Sequence, residues 1–352
     1  MESANQSVVK AFVILGFPAS VQVRILFFAL VLATYVLTII ANVVIISVIK
    51  MNHELQRPMY YFLGNFSFLE IWYTTSTVPK MLESFLVGGS SITVAGCIVQ
   101  LYIFFSLGST ECFLLATMAY DRYSAICNPL HYPTLMTLHL TIWLVTAAWV
   151  GGFLAPLLPI LLISQLSFCG PKEIHHFFCD AGPLLRRSCG NAFLSSTLVS
   201  VLASMVILST CLLIMLSYIF IISTILRIPS ATGRQKAFST CGSHLAVVVI
   251  YYSTVIFIYV RPISPFASDL DTVASVFYAV VTPLLNPIIY SLRNKEVKDA
   301  LKRMVRQNKF IVFRLFIVEI SCNFAVFFCI VTPVPLMSAA YGNYNKRTTN
   351  ME

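Results

Sequence analysis

Two carboxylates, Glu70 and Glu111, lie inside long apolar stretches of the chain. An ionised side chain at mid-bilayer costs about 2.5–3.5 kcal/mol on the insertion scale, so such residues face a bundle interior and serve a purpose there. Two interior carboxylates without a basic partner point to a shared proton or a bound cation. The plainer alternative is a protonated carboxyl hydrogen-bonded to Asn42 or Asn286. Asp121-Arg122-Tyr123 ends another apolar stretch. An Arg beside an Asp at a helix end can exchange its neighbour for a protein docking from outside the membrane. The alternative is an interfacial pair that snorkels to the polar boundary. Asn286-Pro287-Ile288-Ile289-Tyr290 combines a missing backbone donor with two polar side chains, which makes either a hinge or a helix end.

The chain contains no His-Glu-x-x-His, no phosphate-cradling glycine loop and no nucleophile elbow, the patterns that hydrolytic and nucleotide chemistry use. No enzyme is therefore expected, and the chemistry to explain is binding and switching. No basic stretch is interleaved with stacking residues, so no nucleic-acid partner is expected either.

The elements that must hold these residues are membrane spans. Of 352 residues, 58% are hydrophobic and 11% charged, with a mean hydropathy of +0.84. Soluble domains carry about 25% charged residues. Seven stretches reach the roughly 20 apolar residues that a spanning helix needs: 23–49, 59–81, 97–120, 139–163, 196–226, 238–260 and 270–292. They lack the alternation of a barrel strand and must be helices, because hydrocarbon leaves no free backbone group satisfied. Pro79, Pro156, Pro159, Pro283 and Pro287 are expected to kink or end them.

Seven crossings place the termini on opposite sides. Thirteen basic residues fall on one side, among them Lys50, Arg57, Arg122, Arg234 and seven between 293 and 309. Seven fall on the other, including Lys10, Arg186 and Arg187. The positive-inside rule then sets the N-terminus outside. The glycosylation triplet Asn5-Gln6-Ser7 agrees. So do Cys97, Cys169, Cys179 and Cys189, which share the oxidising side and permit three connectivities. His175, His176 and Cys179 offer a metal site as the alternative. Residues 1–22 form the outer tail. Residues 293–306 form a basic amphipathic helix, with Val297, Leu301, Met304 and Val305 on one face, suited to the inner membrane surface and its lipid.

The halves of spans three, five, six and seven towards the outer side supply Phe104, Phe105, Gly108, Ser109, Leu202, Val206, Tyr251, Thr254, Ile258 and Val276. Facing inward, they would line an apolar pocket with a few hydroxyls, suited to a small lipophilic molecule.

Longer motifs then identify a family. Met118-Ala119-Tyr120-Asp121-Arg122-Tyr123-Ser124-Ala125-Ile126-Cys127-Asn128-Pro129-Leu130-His131-Tyr132 resembles the signature of vertebrate olfactory receptors of the tetrapod type. Pro58-Met59-Tyr60-Tyr61-Phe62-Leu63, the stretch from Lys236 to Leu245, and Pro283 to Asn294 are similar again and come in family order. The resemblance runs from about residue 5 to 306. It implies an all-α, rhodopsin-like seven-transmembrane receptor in the plasma membrane. A small volatile lipophilic ligand would bind in the bundle, and a heterotrimeric stimulatory G protein would be activated to raise cyclic AMP.

Carried over by position, the resemblance implies disulfides Cys97–Cys179 and Cys169–Cys189. It implies a switch built from Asp121, Arg122, Tyr123, Tyr218, Lys236, Asn286, Pro287 and Tyr290, and a toggle at Tyr251. Glu70 and Glu111 fall at its sodium-site positions; no other cofactor is expected. Glu70 stands where the family more often has Asp, and its longer arm could shift the cation.

Residues 307–352 extend past the family's usual end. Their apolar part, 310–334, contains Arg314 and Glu319 and is expected not to form an eighth crossing. Two other functions stay open: a receptor of this fold for a non-odorant molecule in another tissue, and an ion- or proton-coupled transporter.

Overall fold

The computed structural model describes residues 9–16, 20–260, 269–293 and 295–306. The expectations for Asn5 and for the extension from 307 lie outside the described residues, as do those for the side chains of Lys236 and Tyr290. The chain is a bundle of seven membrane-length segments. The first three are single helices: α1 (Val21–Met51), α2 (Pro58–Val87) and α3 (Val94–Cys127). After a short α4 (Tyr132–Leu135), the fourth segment is broken into α5 (Leu138–Leu154) and α6 (Leu157–Ser164). A short α7 (Ala181–Leu185) precedes α8 (Phe193–Leu226) and α9 (Ala231–Tyr259). The seventh segment joins α10 (Asp269–Val276) to α11 (Thr282–Arg293) through a π-helical turn, Phe277–Val281. Helix α12 (Lys295–Arg306) follows.

Five of the segments are long and apolar enough to cross a membrane on composition alone. Segments two and seven are the weaker ones, because α2 carries Glu70, Lys80 and Glu83 and the seventh is interrupted by its π turn and by Pro287. The polar side chains of α2 are absorbed locally. Thr74, Thr75, Ser76 and Ser84 donate to carbonyls three or four residues back, which satisfies hydroxyls where water is absent.

Helix starts follow capping chemistry. Thr93 accepts from the Gly96 amide at 3.0 Å and Thr137 from the Leu140 amide at 3.3 Å, while Pro58 opens α2 where no intrahelical donor is needed. Helix α2 stops at Gly88, whose φ of 80° is left-handed. Pro156 separates α5 from α6.

The packing of α5 on α3 is set by one glycine. A Cβ at Gly152 would run into both the side chain and the backbone of Thr110. Gly152→Val is therefore expected to cost at least about 1–3 kcal/mol through overpacking. This would be read as a lowered thermal midpoint of the receptor in detergent. An unchanged midpoint would mean that the two helices do not meet there.

One end of the bundle carries a small sheet that the sequence reading did not anticipate. Strand β1 (Ala11–Ile14) pairs antiparallel with β2 (Ser90–Thr93) and parallel with β3 (Glu173–Ile174). Phe12 is fully buried, edge-on to Phe168 at 5.6 Å. The disulfides Cys97–Cys179 and Cys169–Cys189 lie at this same end.

Candidate functional site: a charge-free cavity above a buried polar layer

Towards the sheet end, α3, α6, α8, α9 and the π turn enclose a cavity of about 60 Å³. Phe104, Phe105, Gly108, Ser109, Leu202, Val206 and Tyr251 line it, as the sequence analysis expects. Thr254, Ile258 and Val276 do not line it; Thr254 instead donates to the Ile250 carbonyl. Their places are taken by Val255, Tyr259 and Tyr278. The fourth segment, which the sequence reading left out, adds Ala155, Pro156, Pro159 and Ile160. No acidic or basic side chain lines the cavity among the described residues.

The loop before α7 packs behind the lining residue Phe104. Phe178 lies 4.7 Å from Phe104, ring to ring. The neighbouring Cys179 is bound to α3 by its disulfide to Cys97 and by its amide, which donates to Gln100 Oε1 at 3.1 Å. Gln100 in turn donates to the Ser76 carbonyl of α2 at 2.7 Å. His176 Nδ1 lies 3.1 Å from the Phe178 carbonyl. With Cys179 in a disulfide, the metal alternative at His175, His176 and Cys179 fails. Among the described residues, no group of three or more His, Cys, Asp or Glu is placed to hold a metal ion.

The floor is Tyr251. Its hydroxyl donates to the Gly108 carbonyl at 2.8 Å and lies 3.4 Å from Cys112 Sγ. This joins α9 to α3 directly below the cavity. Tyr278 packs against Tyr251 at 5.8 Å, and Tyr252 packs edge-on to it at 5.3 Å.

Deeper in the bundle are Glu70 and Glu111, both buried. Glu70 Oε1 accepts from Asn286 Nδ2, one of the two bonds weighed in the sequence analysis. Glu70 Oε2, Asn42 Oδ1 and Asn286 Oδ1 are buried without a hydrogen-bond partner among the described residues. Such oxygens are costly to leave bare. Oxygen donors of this kind fit a hard cation.

At the far end, Asp121 is fully buried and holds two partners. Its Oδ2 accepts from Arg122 Nη2 at 2.7 Å and Nε at 3.1 Å, and its Oδ1 accepts from Tyr132 at 2.8 Å. Burial and the adjacent Asp121 push the Tyr132 phenol upward, so it remains a protonated donor at neutral pH. Tyr123 packs edge-on to Phe220 at 6.0 Å. Tyr218 lies 2.8 Å from His244 Nδ1 and donates to the Cys241 carbonyl at 3.3 Å, tying α8 to α9. Tyr218 was expected here. His244 was not singled out, although it is the one histidine in the apolar stretch 238–260. Asn286 and Pro287 sit in α11, a helix with Pro287 in its interior.

Helix α12 docks on the first interhelical loop and the start of α2. Tyr60 donates to Glu296 Oε2 at 2.8 Å and Arg303 pairs with Glu54 at 2.7 Å, while Val297 and Ala300 are buried.

Residues 31–308 match the olfactory receptor family model. The chain belongs to the olfactory receptor family. It is 50% identical to human olfactory receptor 11L1 over 308 residues, which cover 87% of this chain and 95% of that protein. It is likewise 50% identical to human olfactory receptor 6F1 over 301 residues, 86% and 98% of the two chains. Mouse olfactory receptor 6B9 is 48% identical over 301 residues, 86% and 95% respectively. Membership in this family makes the chain a multi-pass membrane receptor of the seven-helix type and not an enzyme.

Proposed function

We propose that the chain is an odorant receptor that takes a small, uncharged, lipophilic volatile into the cavity above Tyr251. On binding, it activates a heterotrimeric stimulatory G protein at the Arg122 end and raises cyclic AMP. The observation that carries this reading is the apolar, charge-free lining with Tyr251 as its floor. A charged ligand would lose its hydration there without compensation, whereas an apolar one gains by leaving water. The bond from Tyr251 to Gly108 gives the ligand a lever between α9 and α3.

In this reading the sheet end and N-terminus face outside at the plasma membrane, Asn5 is glycosylated, and α12 lies on the lipid of the inner leaflet. The basic excess of the other loops supports that orientation. Asp121, Arg122, Tyr123, Tyr218, Lys236, Asn286, Pro287 and Tyr290 form the switch. A sodium ion would be held by Glu70 and Glu111, with the unpartnered oxygens of Asn42 and Asn286 as further candidate donors.

The test is an odorant screen with a cyclic AMP reporter, run on the full chain and on one truncated after Lys309. A response to at least one volatile is expected. Arg122→Ala is expected to abolish it at equal surface level, and an unchanged response would remove Arg122 from the switch. Glu111→Gln is expected to flatten the dependence of basal activity on sodium. A curve that keeps its shape would count against the ion. Ligand-driven ion flux in cells lacking G proteins would instead favour a transporter.

A further inference from the structure

A second cavity among the described residues is larger than the one above Tyr251. A groove of about 480 Å³ opens on the membrane-facing side of the bundle, in the Arg122 half, between α3, α5 and α8. That volume is within the roughly 300–1,000 Å³ of sites for drug-sized ligands. It exists because the α5 wall is built from Ala147, Ala148 and Gly151, facing Ala116 of α3. Small side chains leave space where the two helices would otherwise close on α8.

The polar groups in this groove have an unusual bias. Thr117 donates to the Leu114 carbonyl at 2.8 Å, Ser209 to Val206 at 3.3 Å and Ser217 to Leu213 at 2.9 Å. Their protons are committed to their own helices, so each hydroxyl has only lone pairs left to offer. Among the described residues, no acidic or basic side chain lines the groove. An occupant arriving from the bilayer must therefore carry no charge, and a group that can both donate to these oxygens and accept from the Tyr120 phenol, which also lines the groove, suits it best. That excludes the phosphate end of a phospholipid and favours an alcohol. The smooth wall of alanine and glycine favours a rigid, flat body, which gives up little conformational freedom on binding.

We propose that this groove is a binding site for a membrane sterol, with the sterol hydroxyl donating to the hydroxyls of Thr117, Ser209 or Ser217. The site would also reach the floor of the first cavity. Thr210 in the groove wall accepts from Tyr252 at 2.8 Å, and Tyr252 packs on Tyr251. Sterol occupancy is thus placed to bias the α8–α9 contact beside the toggle.

The experiment uses the full chain in phosphatidylcholine nanodiscs and a photoactivatable cholesterol that keeps its 3-hydroxyl. Labelled peptides are expected within 113–120, 144–151 and 209–217. Unlabelled cholesterol is expected to compete at least tenfold better than its 3-keto analogue, which lacks the donor. Ala147→Phe should cut labelling at least fivefold. Val150→Phe, on the same helix at a position 53% exposed and outside the groove, should leave it unchanged. Equal competition by the ketone, or label spread evenly over the lipid-facing sides of α1 and α8, would overturn the assignment. The competition arm uses the unmutated chain, so it decides the matter even if Ala147→Phe folds poorly.

Discussion

Asp121→Ala is expected to raise cyclic AMP without odorant, close to the level that a saturating odorant gives the unmutated receptor. The carboxylate is fully buried and both its oxygens are engaged, one by two nitrogens of Arg122 and the other by Tyr132. Removing one partner of a buried ion pair leaves the other unpaired and costs about 3–5 kcal/mol. That cost falls on the closed arrangement, in which Arg122 has Asp121 beside it. It falls far less on an arrangement in which Arg122 reaches out to a docked G protein. A difference of 3 kcal/mol shifts such an equilibrium by more than a hundredfold.

Two companions separate this from mere instability. Tyr132→Phe removes one hydrogen bond to a charged group, worth about 1.5–3 kcal/mol, and should produce a smaller rise in the same direction. Adding Arg122→Ala to Asp121→Ala should return cyclic AMP to that of cells without receptor. Reporter signals would be divided by surface level for each variant. A basal signal unchanged by Asp121→Ala would show that the pair does not hold the resting state.

The Asp121–Arg122 pair was legible in the sequence because adjacent residues at a helix end can hardly avoid each other. The seven segments were legible for an equally simple reason, since hydrocarbon admits little besides long apolar helices. The bond from Asn286 to Glu70 was one of two stated alternatives, and residue types alone could not choose between them. Strand β1 escaped notice because its partners Ser90–Thr93 and Glu173–Ile174 are far away in the chain. Four residues of tail carry too little pattern to announce such pairing.

The cavity wall shows a subtler limit. In α9 the sequence reading picked Thr254 and Ile258, one position short of Val255 and Tyr259. One residue turns a helix by about 100°, enough to swap a wall residue for one pointing elsewhere. In the seventh segment the π turn at Phe277–Val281 breaks the ordinary helical register beside Tyr278. No apolar pattern marks that break. The share of the fourth segment depends on the interruption at Pro156, which sequence could place but not aim.

The cavity's small size yields the second large effect. Gly108→Val is expected to raise the half-maximal odorant concentration about a hundredfold or more while the receptor still reaches the surface. The Gly108 carbonyl accepts from Tyr251, and a Cβ at this position would lie 2.9 Å from the Tyr278 hydroxyl. The added carbons enter a cavity of about 60 Å³, already smaller than the roughly 150 Å³ of an engineered protein cavity that takes up benzene. A very small ligand gains at most about 1.5 kcal/mol per heavy atom. Displacing two or three of its atoms therefore removes about 3–4 kcal/mol, and each 1.4 kcal/mol is a factor of ten. Gly108→Ala adds a single methyl and should shift the same curve much less, because the flexible end of Tyr278 can give way. Val255→Ala, which enlarges the opposite wall, should partly restore the Gly108→Val response for ligands one carbon larger. If Gly108→Val left the dose–response curve in place, the odorant would be binding somewhere other than the cavity above Tyr251.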